Sequence, residues 1–210
     1  MEGQEIPKSP QPDQKRSPFG NSEQLREYIG NERHPVDYSQ MVFPTTRVLA
    51  LGETHTREIT KQEVIDHIEQ FRDLGFTHFG MEIFGTEIQP ALDEYQRTGG
   101  RKEELVNYIR KGYGRWSPYV GTLYLKMLDE AKRVGLRVIA IDLPISEQEQ
   151  YGTGHTDRHR LHKRDERMTQ TVQAILNENP KHKVVTFTGE GHASKSRNAT
   201  SMANLLAANG

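Results

Sequence analysis

Twice in this chain a helix-patterned stretch stops at a glycine and an apolar run follows at once: Gly75 precedes Phe76–Ile83, and Gly135 precedes Leu136–Ile141. A helix–glycine–strand joint is the signature of a βα unit, and repeated units predict a mostly parallel sheet flanked by helices. The spacing predicts strands over Arg47–Leu51, Phe76–Ile83, Leu136–Ile141 and Lys183–Thr188. Between them, Glu58–Leu74 carries Val64, Ile65, Ile68 and Phe71 on one helical face. Glu87–Arg97 and Lys102–Lys111 read as two helices parted by Gly99-Gly100. Pro118–Val134 repeats Leu123, Tyr124, Met127, Leu128, Ala131 and Val134 with the i, i+4 rule. Ser146–Gly154 reads as loop, Thr156–Asn177 as a long polar helix and Ala199–Ala208 as a last helix. The fold class expected is α/β, with any ligand at the C-terminal ends of the strands.

Residues 1–21, rich in Pro, Gln, Ser and charge, read as a disordered arm, and Ser22–Ile29 as a short helix. A single α/β domain is expected over residues 22–210, and the linker-like start and early stop suggest a piece of a larger chain. The 28 basic and 29 acidic residues leave a net charge of −1, which gives no global case for nucleic acid or an anionic membrane. Mean hydropathy is −0.81, and no apolar run approaches the ~20 residues of a membrane span. The first residues show no signal-peptide core, and the compartment stays open. Without cysteine there is no disulfide, thiolate ligand or cysteine nucleophile.

The chemistry sits where the strands end. Gly52-Glu53-Thr54-His55 and Gly189-Glu190-Gly191-His192 each follow an apolar run, and their histidines converge if those strands are neighbours. Glu82 lies inside the apolar run Phe79–Phe84 and needs a cation, a metal or a histidine as partner. Asp142, ahead of Leu143-Pro144, reads first as an Asx-type turn. Two imidazoles with a carboxylate are the ligand set of a zinc, manganese or cobalt site, here His55, Glu82 and His192. The same set without metal is a histidine base that activates water. Glu53 or Glu190 would orient that water, and Arg164 would stabilise developing negative charge. His155, His159 and His162 fall on one helical face, read either as haem or metal ligands or as a solvated charged surface. Trp116 and Tyr119, beside the glycine-rich loop after Tyr113, read as pocket walls or as core anchors.

These motifs together resemble the ChaN-like haem-uptake proteins of the wider Tiki, TraB and erythromycin-esterase superfamily. The resemblance rests on Leu51–His55, on Gly80–Phe84 with Gln89 and Tyr95, on Trp116 and Tyr119, on Ile141–Pro144, on Arg164-Asp165-x-x-Met168 and on Gly189–Ala193. It runs from about Arg47 to Ala193 in the family's motif order. It implies a core site of His55, Glu82 and His192 supported by Glu53 and Arg164. Within the superfamily it implies two activities: hydrolysis of an ester, lactone or peptide, or haem binding through Tyr113, Trp116, Tyr119, His155, His159 and His162. A toxin or effector domain is a third. Two features depart from the family: Thr56 stands where an acidic residue is common, and no cysteine is present to carry a lipid anchor.

Overall fold

The computed structural model describes residues 36–113, 118–151, 158–195 and 200–208. The expected arm and first helix, Trp116, His155 and the side chain of Tyr113 lie outside the described residues. In chain order the elements are β1 (Val48–Glu53), α1 (Glu58–Asp73), β2 (His78–Gly85), α2 (Gln89–Thr98), α3 (Lys102–Tyr113), α4 (Pro118–Val134), β3 (Arg137–Asp142), α5 (Ile145–Gln150), α6 (Arg158–Glu178), β4 (Val184–Gly189), α7 (Glu190–Ala193) and α8 (Met202–Ala208). The four strands form one all-parallel sheet in the order β1-β4-β2-β3.

Each face of the sheet carries its own apolar layer. Phe79, Met81, Val138, Ala140, Val185 and Phe187 pack with Val64, Ile68 and Phe71 of α1 and Tyr124, Met127 and Leu128 of α4. Ile139, Ile141 and Val184 turn the other way, onto Met168, Val172 and Ile175 of α6 and Met202 and Leu206 of α8. Burial on both faces explains why the strands read as near-continuous apolar runs instead of alternating ones.

Gly75 and Gly135 have positive φ, 86° and 79°, and turn the chain from helix into strand as expected. Past Gly75 the strand starts later than the apolar run does. Phe76 N–H still bonds to Phe71 O and both Thr77 and His78 N–H to Lys183 O, so pairing in β2 begins at His78 and runs on to Gly85. The stretch expected to be loop contains the helix α5, entered at Pro144. It is too short and too polar to show apolar periodicity, and it is held by Gln148, which donates to Asp142 Oδ2 at 3.1 Å and Leu143 O at 2.8 Å. The last helix starts at Met202 instead of Ala199, because Ser201 Oγ accepts the Asn204 N–H at 3.2 Å as its N-cap and Asp165 Oδ1 accepts the Met202 N–H at 2.7 Å.

The strand order is what makes a site. β4 lies between β1 and β2, with Gly52 opposite Thr188 and Glu53 opposite Gly189. The two Gly-x-x-His motifs therefore leave the sheet side by side, next to the strand that carries Glu82.

Candidate active site

Four strands contribute to one polar cluster at their C-terminal ends. β1 delivers Glu53 and, two residues on, His55. Glu53 is buried, and its Oε1 lies 2.9 Å from His55 Nδ1. The same oxygen accepts the Tyr124 hydroxyl from α4, while Oε2 accepts Lys61 Nζ from α1. β4 delivers Gly189, and α7 then carries His192, whose Nδ1 is 2.7 Å from Asp165 Oδ1 on α6. Each imidazole thus stands on its own carboxylate through Nδ1 and turns Nε2 inward.

Both Nε2 atoms face the same oxygen. His55 Nε2 is 3.9 Å and His192 Nε2 3.6 Å from Glu82 Oε1. Arg164 Nη2 donates to that oxygen too, and Gly189 N–H donates to Oε2. Arg164 also reaches Asp142 at the end of β3, through Nε at 2.9 and 3.0 Å and through Nη2 at 2.6 Å. Asp142 does not make the expected Asx turn, because the residue two positions on is Pro144 with no N–H; it accepts the Leu143 N–H at 2.8 Å instead, and its larger role is to share the guanidinium with Glu82. A Cβ at Gly189 would lie 3.1 Å from His55 Nε2 and 3.5 Å from Glu82 Oε2, so this glycine keeps the space before both groups open.

Charge and burial divide the roles. Burial alone would push the Glu82 carboxyl up, but Arg164, His192, His55 and the Gly189 N–H outweigh it and hold it at about 2. Burial would likewise lower His192, yet Glu82 and Asp165 reverse this and raise it above its ordinary 6.5. Asp142 goes the other way: burial raises it, and Arg164, shared with Glu82, does not offset that. His192 is thus a buried proton holder beside an ionised Glu82. The side chain of His55 keeps 28% of its surface exposed and is the imidazole a substrate can reach.

These shifts set the pH dependence of stability. Glu82 is lowered on folding, so its contribution is full above about 4.5, its ordinary value, and is lost as the pH falls towards 2. His192 is raised, so its contribution is full below 6.5 and is lost as the pH rises through its folded value. Urea midpoints of the wild-type chain should therefore decline above pH 6.5 more steeply than those of His192→Gln. Parallel alkaline declines in the two proteins would contradict the pairing of His192 with Glu82.

The expected ligand set does not fit a divalent metal. Such an ion would have to sit against Glu82 Oε1, where the Arg164 guanidinium already rests, and the second oxygen is taken by a backbone N–H. Among the described residues no group of three or more His, Asp or Glu side chains is arranged to hold a metal. Glu190 stands exposed at the start of α7. Of the residues expected to bind haem, Tyr119 is half exposed at the start of α4, and His159 is exposed with its ring 5.4 Å from that of Tyr151. His162 has both ring nitrogens engaged, with Thr200 Oγ1 at 3.1 Å and Glu166 Oε1 at 3.0 Å.

Three residues of the cluster were not assigned a role from sequence. Asp165 was visible only as part of the Arg164-Asp165 motif. Lys61 falls in register with Val64, Ile68 and Phe71, and a lysine on an apolar helix face is a signal that it has a buried partner. Tyr124 read as core, which it is, but a fully buried hydroxyl requires an acceptor.

A family model for haem-binding uptake proteins of the Tiki superfamily, ChaN, matches residues 43–158. No curated protein is significantly similar in sequence. Among solved structures, the effector domain RRSP of a MARTX toxin from Vibrio vulnificus superposes with a TM-score of 0.60 at 19% identity, covering 86% of this chain and 35% of that one. ChaN of Campylobacter jejuni, described with cofacially bound haem, gives 0.57 at 14% identity, covering 82% and 81%. The type III effector HopBA1 gives 0.55 at 16% identity, covering 72% and 70%. The chain spans only about a third of the toxin chains, and at these identities the likeness is one of fold. No described helix is long and apolar enough to cross a membrane.

Proposed function

The chain belongs to the haem-binding uptake (ChaN) family of the Tiki superfamily, and on that footing we propose that it is a metal-independent hydrolase of an ester, lactone or peptide bond. The observation that carries this reading is the pair of imidazoles held by separate carboxylates with both Nε2 atoms within 4 Å of Glu82 Oε1. Glu53 accepts from Lys61, Tyr124 and His55 at once, so it acts as an ionised acceptor and His55 carries its proton on Nδ1. Nε2 lies beside Gly189, and in the neutral form of the ring it can take a proton from water as that water attacks a carbonyl carbon. The proton that His55 Nε2 takes up then passes from it to the departing oxygen or nitrogen, while buried His192, held by Asp165 through Nδ1, faces Glu82 with Nε2 and keeps that carboxylate ionised. Arg164 holds Glu82 ionised; in this role it acts on the enzyme's own carboxylates instead of on the substrate. Glu190 assists only from the rim. An effector role is a further reading, since a toxin effector domain and a type III effector share this fold.

A panel of activated esters, lactones and peptides tests this in the presence of EDTA. Turnover that survives chelation and disappears in Glu82→Gln supports the reading, and turnover restored only by added metal contradicts it.

A second reading, haem binding, is favoured by the family match and by exposed His159 beside Tyr151. His159 would be an axial ligand and Tyr119 a wall, with Tyr113, Trp116 and His155 as further contributors. His162 would first have to leave Glu166 and Thr200. Haemin titration should give an intense visible band that weakens in His159→Ala; an unchanged band in that variant removes His159 from the site.

A further inference from the structure

Lys61 is the most deeply buried cation among the described residues, with none of its surface exposed. An ammonium in such a place costs several kcal/mol of lost hydration unless every donor is satisfied. Here every donor is. Nζ donates to Glu53 Oε2, to His55 O at 2.8 Å and to Arg57 O at 3.1 Å, and it lies 5.2 Å from the centre of the Tyr124 ring. All three partners are pure acceptors, so all three N–H bonds are needed and the group is an ammonium, not an amine. Two of the acceptors are carbonyls of the short connection between β1 and α1, which is closed by the Arg57 N–H to Thr54 O bond at 2.8 Å. The third is the carboxylate on which His55 stands.

We propose that Lys61 is a positioning residue for His55. It fixes the loop that carries the imidazole and at the same time holds the Glu53 carboxylate that selects its Nδ1–H tautomer. Tyr124 assists by donating to the other oxygen of Glu53. This inference rests on the reading of His55 as the base, and misplacing a catalytic group by about 1 Å can cost about 10²-fold. Without Lys61, Glu53 is left buried with no cation, so it takes up a proton or turns away. Either way its Oε1 no longer dictates which nitrogen of His55 is protonated.

The test is nitrogen NMR of the His55 ring in the wild-type chain and in Lys61→Met, beside steady-state kinetics. The wild type should show a protonated Nδ1 and an unprotonated Nε2. Folded Lys61→Met should show the two nitrogens averaging towards each other, with kcat lowered about 10²-fold and KM unchanged. Wild-type nitrogen shifts in folded Lys61→Met would overturn the proposal. If that variant does not fold, the wild-type ammonium decides: a slowly exchanging Lys61 signal coupled through the hydrogen bond to the Glu53 carboxylate carbon is expected, and a neutral or uncoupled amine overturns the proposal. The tautomer is read without any substrate, so a chain that hydrolyses nothing would refute the hydrolase and still report on the hold of Lys61 over His55.

Discussion

Arg164→Met is expected to destabilise the fold by about 3–5 kcal/mol, the cost of stranding a buried charge. The guanidinium is the shared partner of Glu82 and Asp142, whose side chains keep 2% and 1% of their surface exposed. Methionine fills much of the same volume, so the loss measures charge more than packing. Of the two carboxylates, Glu82 has His192 and His55 within 4 Å, whereas among the described residues Asp142 retains the Leu143 N–H and Gln148. Adding Asp142→Asn to Arg164→Met should therefore recover a substantial part of the lost stability in urea unfolding. Absence of any recovery would place the loss in packing around α6 instead.

His55→Ala should lower hydrolysis by about 10²- to 10⁴-fold, the usual contribution of a positioned general base, while leaving the melting temperature close to wild type. The two effects separate because of what each neighbour keeps. The imidazole is partly exposed, and Glu53 retains Lys61 and Tyr124 when it is removed. His192 offers no such separation: it is buried, and its loss would leave Glu82 and Asp165 each short of a partner. Circular dichroism and a thermal melt beside the kinetics check this. Retained activity in folded His55→Ala would remove the histidine from the chemistry, and a collapsed melt would make it structural.

Much of this site was legible in the residues before any fold was known. The two Gly-x-x-His motifs marked the ends of β1 and β4, and Glu82 in an apolar run announced a partner. Its partner was unreadable, because Arg164 lies on a helix that reaches Glu82 only once β3 and β4 flank β2 in the sheet. The adjacency of β1 and β4 was equally hidden: it is a property of strand order, and spacing along the chain carries no information about it. The metal expectation failed for a related reason. His, Glu and His are the right donors, but a guanidinium from a third element already occupies the carboxylate oxygen where an ion would bind. The short helix α5 escaped notice because its stability comes from the bonds of Gln148 to Asp142 and Leu143, not from an apolar face.

The central claim is that His55 Nε2 activates water for attack on a carbonyl carbon without a metal. The most direct measurement is mass spectrometry of the products formed in ¹⁸O-labelled water by EDTA-treated wild-type chain, with His55→Ala alongside. The account predicts one labelled oxygen in the new carboxyl group, formed by the wild type and not by the variant. Label incorporated equally by both proteins, or only after a divalent metal is added, would contradict it.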